Sequence, residues 1–213
     1  MNGSPLATGG GLFHWGTLVG LGMTIHASSQ TFASPAEKDL NRGYGTLSRE
    51  AALFCDGLAA TTGHLLLNFF TPDRDLTLSK VRLNSTATVS ATPTIVRVGL
   101  YKVTANGLGG TLVASTPNDT TIGGTANTTI TKNLSVAYEV TAGQTYAMGL
   151  LVLAGTMPTF AARTVFFDTL ADLPRLKGLL TGLSDLGASY LNSSFVATTD
   201  ATCTYFKLLT SEA

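Results

Sequence analysis

The sequence predicts an all-β protein, an antiparallel β-sandwich of jelly-roll type with an extended N-terminal arm. Three observations lead there. About one residue in six is Thr, a β-branched residue that suits strands better than helices. Short runs that are either apolar or alternate with period two recur along most of the chain. Clusters of Gly, Pro, Asn and Asp separate those runs, giving about eight or nine strands joined by turns.

The 213 residues suffice for one core with extra segments. Residues 1–47 differ from the rest. Leu12, Phe13, Trp15, Leu18, Val19, Leu21 and Ile25 make this stretch apolar, yet Gly16, Gly20 and Gly22 break any period. It has no basic leader segment, and it is too short and interrupted for a membrane span. An apolar arm without a period of its own finds its partners on another surface, and those seven residues are its candidate docking contacts. The alternative is an extra strand and loop packed on the same domain. Ser34 to Gly45 is polar and turn-rich and reads as the linker.

The sandwich domain is expected over residues 48–213. Ser48 to Phe54 reads as a short helix or an extended segment. Gly63–Thr71 is an apolar strand ended by Pro72-Asp73, and Leu76–Leu83 alternates as a half-buried strand does. Thr94–Val103, TIVRVGLYKV, is the central strand. Asn106-Gly107 and Gly109-Gly110 turn the chain into Thr111–Ser115. Asn127–Leu134 alternates weakly, as an edge strand does, with Lys132 to discourage edge pairing. Val136–Thr141 leads to a turn at Ala142-Gly143, Gln144–Ala154 is the most apolar strand, and Pro158–Phe167 is another. Residues 168–194 break the rhythm, with leucines scattered among Pro174, Gly178, Gly182 and Gly187. A helix there would carry three internal glycines at about 1 kcal/mol each, so a long loop with short helical turns is expected. Leu176, Leu179, Leu180, Leu183 and Leu186 make it either a lid over one end of the sandwich or a subunit contact. Cys203–Leu209 closes the domain as a last strand.

Little chemistry is on offer. Net charge is zero and charged residues make up 12% of the chain, about half the usual share. A nucleic-acid partner has no electrostatic footprint in it, and so weakly charged a Thr/Ser/Gly surface favours assembly over a free monomer. Cys55 and Cys203 are far apart, and spacing leaves open whether they pair. His14, His26 and His64 lack partners at metal-ligand spacing, and Asp73-Arg74-Asp75 reads as a solvated turn rather than a Ca²⁺ loop. The six Asn-x-Ser/Thr triplets are expected in so Thr-rich a chain. No nucleophile elbow or phosphate loop occurs. Nothing nominates a facing pair of carboxylates for glycoside hydrolysis. The expectation is a non-enzymatic protein with no catalytic residues, no metal and no cofactor.

Three pieces, in order, carry a resemblance. They are Thr94–Val103 with its VRVGLY core, Ser115-Thr116-Pro117-Asn118-Asp119-Thr120, and Ala142-Gly143-Gln144-Thr145-Tyr146-Ala147. With FFTPDRDLTLSKVRL before them and PTFAAR after, the segment from about Phe69 to Arg163 resembles a module of tailed-bacteriophage virion proteins. That module occurs in minor tail, fibre-like and capsid decoration proteins of phages of actinobacteria. The resemblance implies a structural or binding module carried in the virion, assembled in the host cytoplasm beside other tail or capsid proteins. By analogy it is a homo-oligomer, with a trimer favoured. A minor tail or fibre-like role is expected first and a capsid decoration or head-fibre role second. A carbohydrate-binding module for host cell-wall glycan is a further alternative. It would need a Ca²⁺ site on one face or an exposed aromatic platform, for which Trp15, Tyr44, Tyr190 and Tyr205 are scattered candidates.

Overall fold

The computed structural model describes residues 43–45, 56–164, 177–196, 202–204 and 206–210, all within the compact unit Thr31–Ala213. The candidate arm residues Leu12, Phe13, Trp15, Leu18, Val19, Leu21 and Ile25, and the segment Ser48–Phe54, lie outside the described residues. The strands are β1 (Gly43–Gly45), β2 (Asp56–Ala59), β3 (Leu65–Phe70), β4 (Leu76–Asn84), β5 (Ile95–Val103), β6 (Gly109–Ser115) and β7 (Thr129–Val140). They continue as β8 (Tyr146–Leu153), β9 (Thr159–Thr164), β10 (Lys177–Leu180), β11 (Ser189–Leu191), β12 (Thr202–Thr204) and β13 (Lys207–Thr210).

The strands form antiparallel sheets in the orders β1-β13-β4-β7, β10-β3-β8-β5-β6-β11 and β12-β9-β2. Take β1, β3 to β8 and β13 in chain order. The first, eighth, third and sixth make one sheet, and the second, seventh, fourth and fifth make the other. That is the jelly-roll arrangement. The predicted fold class is the observed one.

Both faces of the larger sheet are buried, which explains why its strands read as nearly continuous apolar runs. On β5, Val96, Val98 and Leu100 face the inner core while Ile95, Tyr101 and Val103 face outward into a second apolar cluster. On β8, Tyr146, Met148, Leu150 and Val152 point inward, and Ala147, Leu151 and Leu153 point outward. Each fully buried Leu or Val contributes about 1.5–3 kcal/mol over an exposed one. The smaller sheet alternates instead. On β4, Leu78, Val81 and Leu83 are wholly buried, whereas Lys80 and Arg82 are only half-buried.

Several elements differ from expectation. Gly43–Gly45, expected at the end of the linker, pairs with Lys207–Leu209 as a strand of the sandwich. Asn127–Leu134 and Val136–Thr141 are one edge strand, β7. Its pairing with β4 shifts register between Leu78↔Tyr138 and Lys80↔Asn133, so the alternation breaks in mid-strand without ending it. The expected loop 168–194 contains two strands and a single 3-10 turn at Asn192–Ser194 among the described residues. β10 pairs with β3 at one edge of the larger sheet and β11 with β6 at the other. Two open edges and an apolar outer face are what this segment satisfies.

Candidate functional site

The three pieces that carry the resemblance form one hydrogen-bonded unit around β5. On one side β6 pairs with β5 up to Gly99↔Ser115. Pro117 has no N–H and stops the ladder, and the side chains around it take over. Thr116 Oγ1 accepts from Val98 N at 3.0 Å, and Thr116 N donates to Val98 O at 2.8 Å. Asn118 Oδ1 accepts from Val96 N while its Nδ2 donates to Thr94 O, both at 2.9 Å. Asp119 N then donates to Val96 O at 3.1 Å. A Thr, an Asn and an Asp thus satisfy the margin of β5 where a strand containing proline could not.

Asp119 also ties this loop to the edge strand. Its carboxylate accepts from Thr121 N and Thr121 Oγ1, and it pairs with Lys132 Nζ at 2.6 Å. The bonds from Lys132 and then Thr121 hold its carboxyl down at about 2. Lys132, expected only to blunt an edge, closes the side of the sandwich.

On the other side β8 pairs with β5 along Ile95–Lys102. The turn before β8 needs a positive φ at Gly143, 76°, which glycine adopts without strain. Gln144 Nε2 donates to Val103 O at 2.9 Å, and Tyr146 Oη accepts from Thr141 N at 3.0 Å. Asp75 Oδ1 accepts from Ala142 N at 2.7 Å, so the Pro72–Asp75 turn supports this one.

The leucine-rich segment lies over the outer face of the larger sheet rather than over one end. Leu180 belongs to the outer cluster, Leu183 and Leu186 pack against it, and Leu179 is buried. Leu176 lies outside the described residues. The cluster holds an aromatic group, with Tyr190 edge-on to Phe69 and Tyr101 and stacked on Phe195. Polar ties fix the segment at its crossing. Arg97 Nη1 donates to both carboxylate oxygens of Asp185 at 2.8 Å, and Tyr101 Oη donates to Gly187 O at 3.2 Å. Burial, only partly opposed by nearby Arg97, pushes the Tyr101 hydroxyl up to about 12. Sequence reasoning missed Arg97, Asp185 and Phe195, which carry no local signal.

Chemically the described surface is quiet. Asp75, Asp119 and Asp185 each accept hydrogen bonds that hold loops. Among the described residues no group of three His, Cys, Asp or Glu side chains is placed to hold a metal ion, and no helix is long and apolar enough to cross a membrane. Of the scattered aromatic candidates, Tyr190 is buried in the outer cluster. Tyr44 lies on β1, and Trp15 and Tyr205 lie outside the described residues. The exposed large apolar side chains are Val89, Leu108, Val136, Leu191 and Val196 among the described residues. No protein-family model matches the chain, and no curated protein matches it.

Proposed function

We infer that the chain is a non-enzymatic structural virion protein of a tailed bacteriophage. In this reading it is a minor tail or fibre-like component that docks through its N-terminal segment and displays the sandwich. One observation carries the reading. The pieces that resemble the virion module are hydrogen-bonded to one another on both sides of β5, as the parts of one inherited module would be. A neutral chain with 12% charged residues supports it too, because such a surface suits a subunit packed among neighbours. Other virion proteins are then the partners, and a symmetric homo-oligomer is the expected form.

The test removes residues 1–40 and keeps β1. The shortened protein should fold, with the thermal transition of the full chain, and should be missing from purified particles. Incorporation at the full-length level would overturn docking through this segment. Recovery of the full-length protein in capsids without tails would make it a decoration protein instead.

A further inference from the structure

Lys177 of β10 stands directly opposite Asn68 of β3 in the antiparallel pairing. Both are almost wholly buried, at 4% and 3% exposure. Their neighbours fix the side of the sheet on which they lie. A β-carbon added at Gly178 would meet the ring of Phe195 at 2.6 Å, and Phe195 packs on the outer cluster. Gly178 therefore faces outward, and Lys177, one residue earlier, faces inward. Asn68 sits between Leu67 and Phe69, both of the outer cluster, so it faces inward as well. Asn68 Nδ2 donates to Thr204 O at 3.1 Å, which fixes the rotation of the carboxamide. Directly opposed β-carbons lie about 5 Å apart, a gap that the four-carbon stem of a lysine spans.

We propose that Lys177 and Asn68 become joined by an intramolecular isopeptide bond. Lys177 Nζ, as its neutral amine, attacks Asn68 Cγ; the Nζ–Cγ bond forms, the Cγ–Nδ2 bond breaks, and one Nζ proton passes to Nδ2, which departs as ammonia. An amine and a primary carboxamide give a secondary amide and ammonia, so atoms, charge and protons balance without an oxidant or a cofactor. The product would fasten the four-residue edge strand β10, and the aromatic outer layer beyond it, covalently to β3. This inference stands apart from the virion reading and holds or fails without it.

Intact-mass spectrometry of the purified full chain under denaturing conditions tests it. The expected mass is about 17 Da below that of the sequence, the mass of one ammonia. Proteolysis should yield a branched peptide joining the Asn68 and Lys177 segments. Lys177→Met and Asn68→Ala should each restore the sequence mass. Wild-type protein at the full sequence mass overturns the proposal. So does a 17 Da loss that persists in Lys177→Met or comes without the branched peptide, since that marks cyclisation of an asparagine onto its own backbone.

Discussion

Arg97 and Asp185, 88 residues apart, meet with both carboxylate oxygens 2.8 Å from one guanidinium nitrogen. The pair joins the central strand to the segment that covers the outer face. Arg97 also donates to Ser115 Oγ and Thr116 O, so it links β5, β6 and that segment at one point. Arg97→Met should cost about 1 kcal/mol, because the pair is partly exposed and screened. Asp185→Asn should cost less. Hydrogen exchange at the amides of Leu112 and Leu183, which bond to Ala188 O and Gly63 O, should quicken in both variants while β8 stays protected.

Asp119 gives the fold a dependence on pH. Its carboxyl is held at about 2 against an ordinary 3.8, first by Lys132 and then by Thr121. A depressed acid stabilises the folded state above its unfolded value, and that stabilisation is lost as pH falls through the folded value. Asp119→Asn should therefore be less stable than wild type by about 1 kcal/mol at pH 7. The gap should narrow below about pH 4 and close near pH 2. Urea unfolding of both proteins at pH 7, 4 and 2.5 checks this.

Removal of the side chains on either side of Pro117 should be costly, although Asn118 is exposed and only Thr116 is buried. Asn118→Ala leaves Val96 N and Thr94 O without their partners, and Thr116→Val does the same to the buried Val98 N. Each should cost about 1–3 kcal/mol, the penalty for an orphaned backbone group. Asn118→Asp, which keeps the acceptor for Val96 N, should recover part of the loss. Chemical denaturation reads all three.

How far the fold could be read depended on what each strand buries. Strands β3, β5 and β8 were legible because both of their faces are covered and their sequences are apolar nearly throughout. β4 was legible because one face is wet, so its sequence alternates on either side of the shift at Ser79. β7 read as two strands because the register shift at Leu78/Lys80 interrupts its period. Gly43–Gly45, Lys177–Leu180 and Ser189–Leu191 were not legible, since strands of three or four residues show no period and exist by pairing to a finished edge. Among the described residues of the leucine-rich segment, the glycines argued correctly against an α-helix. Gly178 lies flat against Phe195, a contact that local sequence does not encode.

The outer layer should be intolerant of small additions. A β-carbon at Gly110 would stand 2.5 Å from the ring of Tyr190, and that ring packs against Phe69, Tyr101 and Phe195. Gly110→Ala should destabilise by about 1–3 kcal/mol through overpacking and weaken the near-ultraviolet circular dichroism of the tyrosine cluster. Gly143→Ala meets no neighbour within 4 Å but forces alanine to a φ of 76°. Its cost should be about 1 kcal/mol, with the tyrosine signal intact. The two variants separate crowding from backbone strain.

The most direct test of the account is immunogold electron microscopy of intact particles, using antibody raised against residues 48–213. Gold on the tail or its tip is the predicted result. Gold spread over the head would reassign the protein to the capsid shell. Particles left unlabelled, with the protein found only in the soluble fraction of the lysate, would contradict the virion reading.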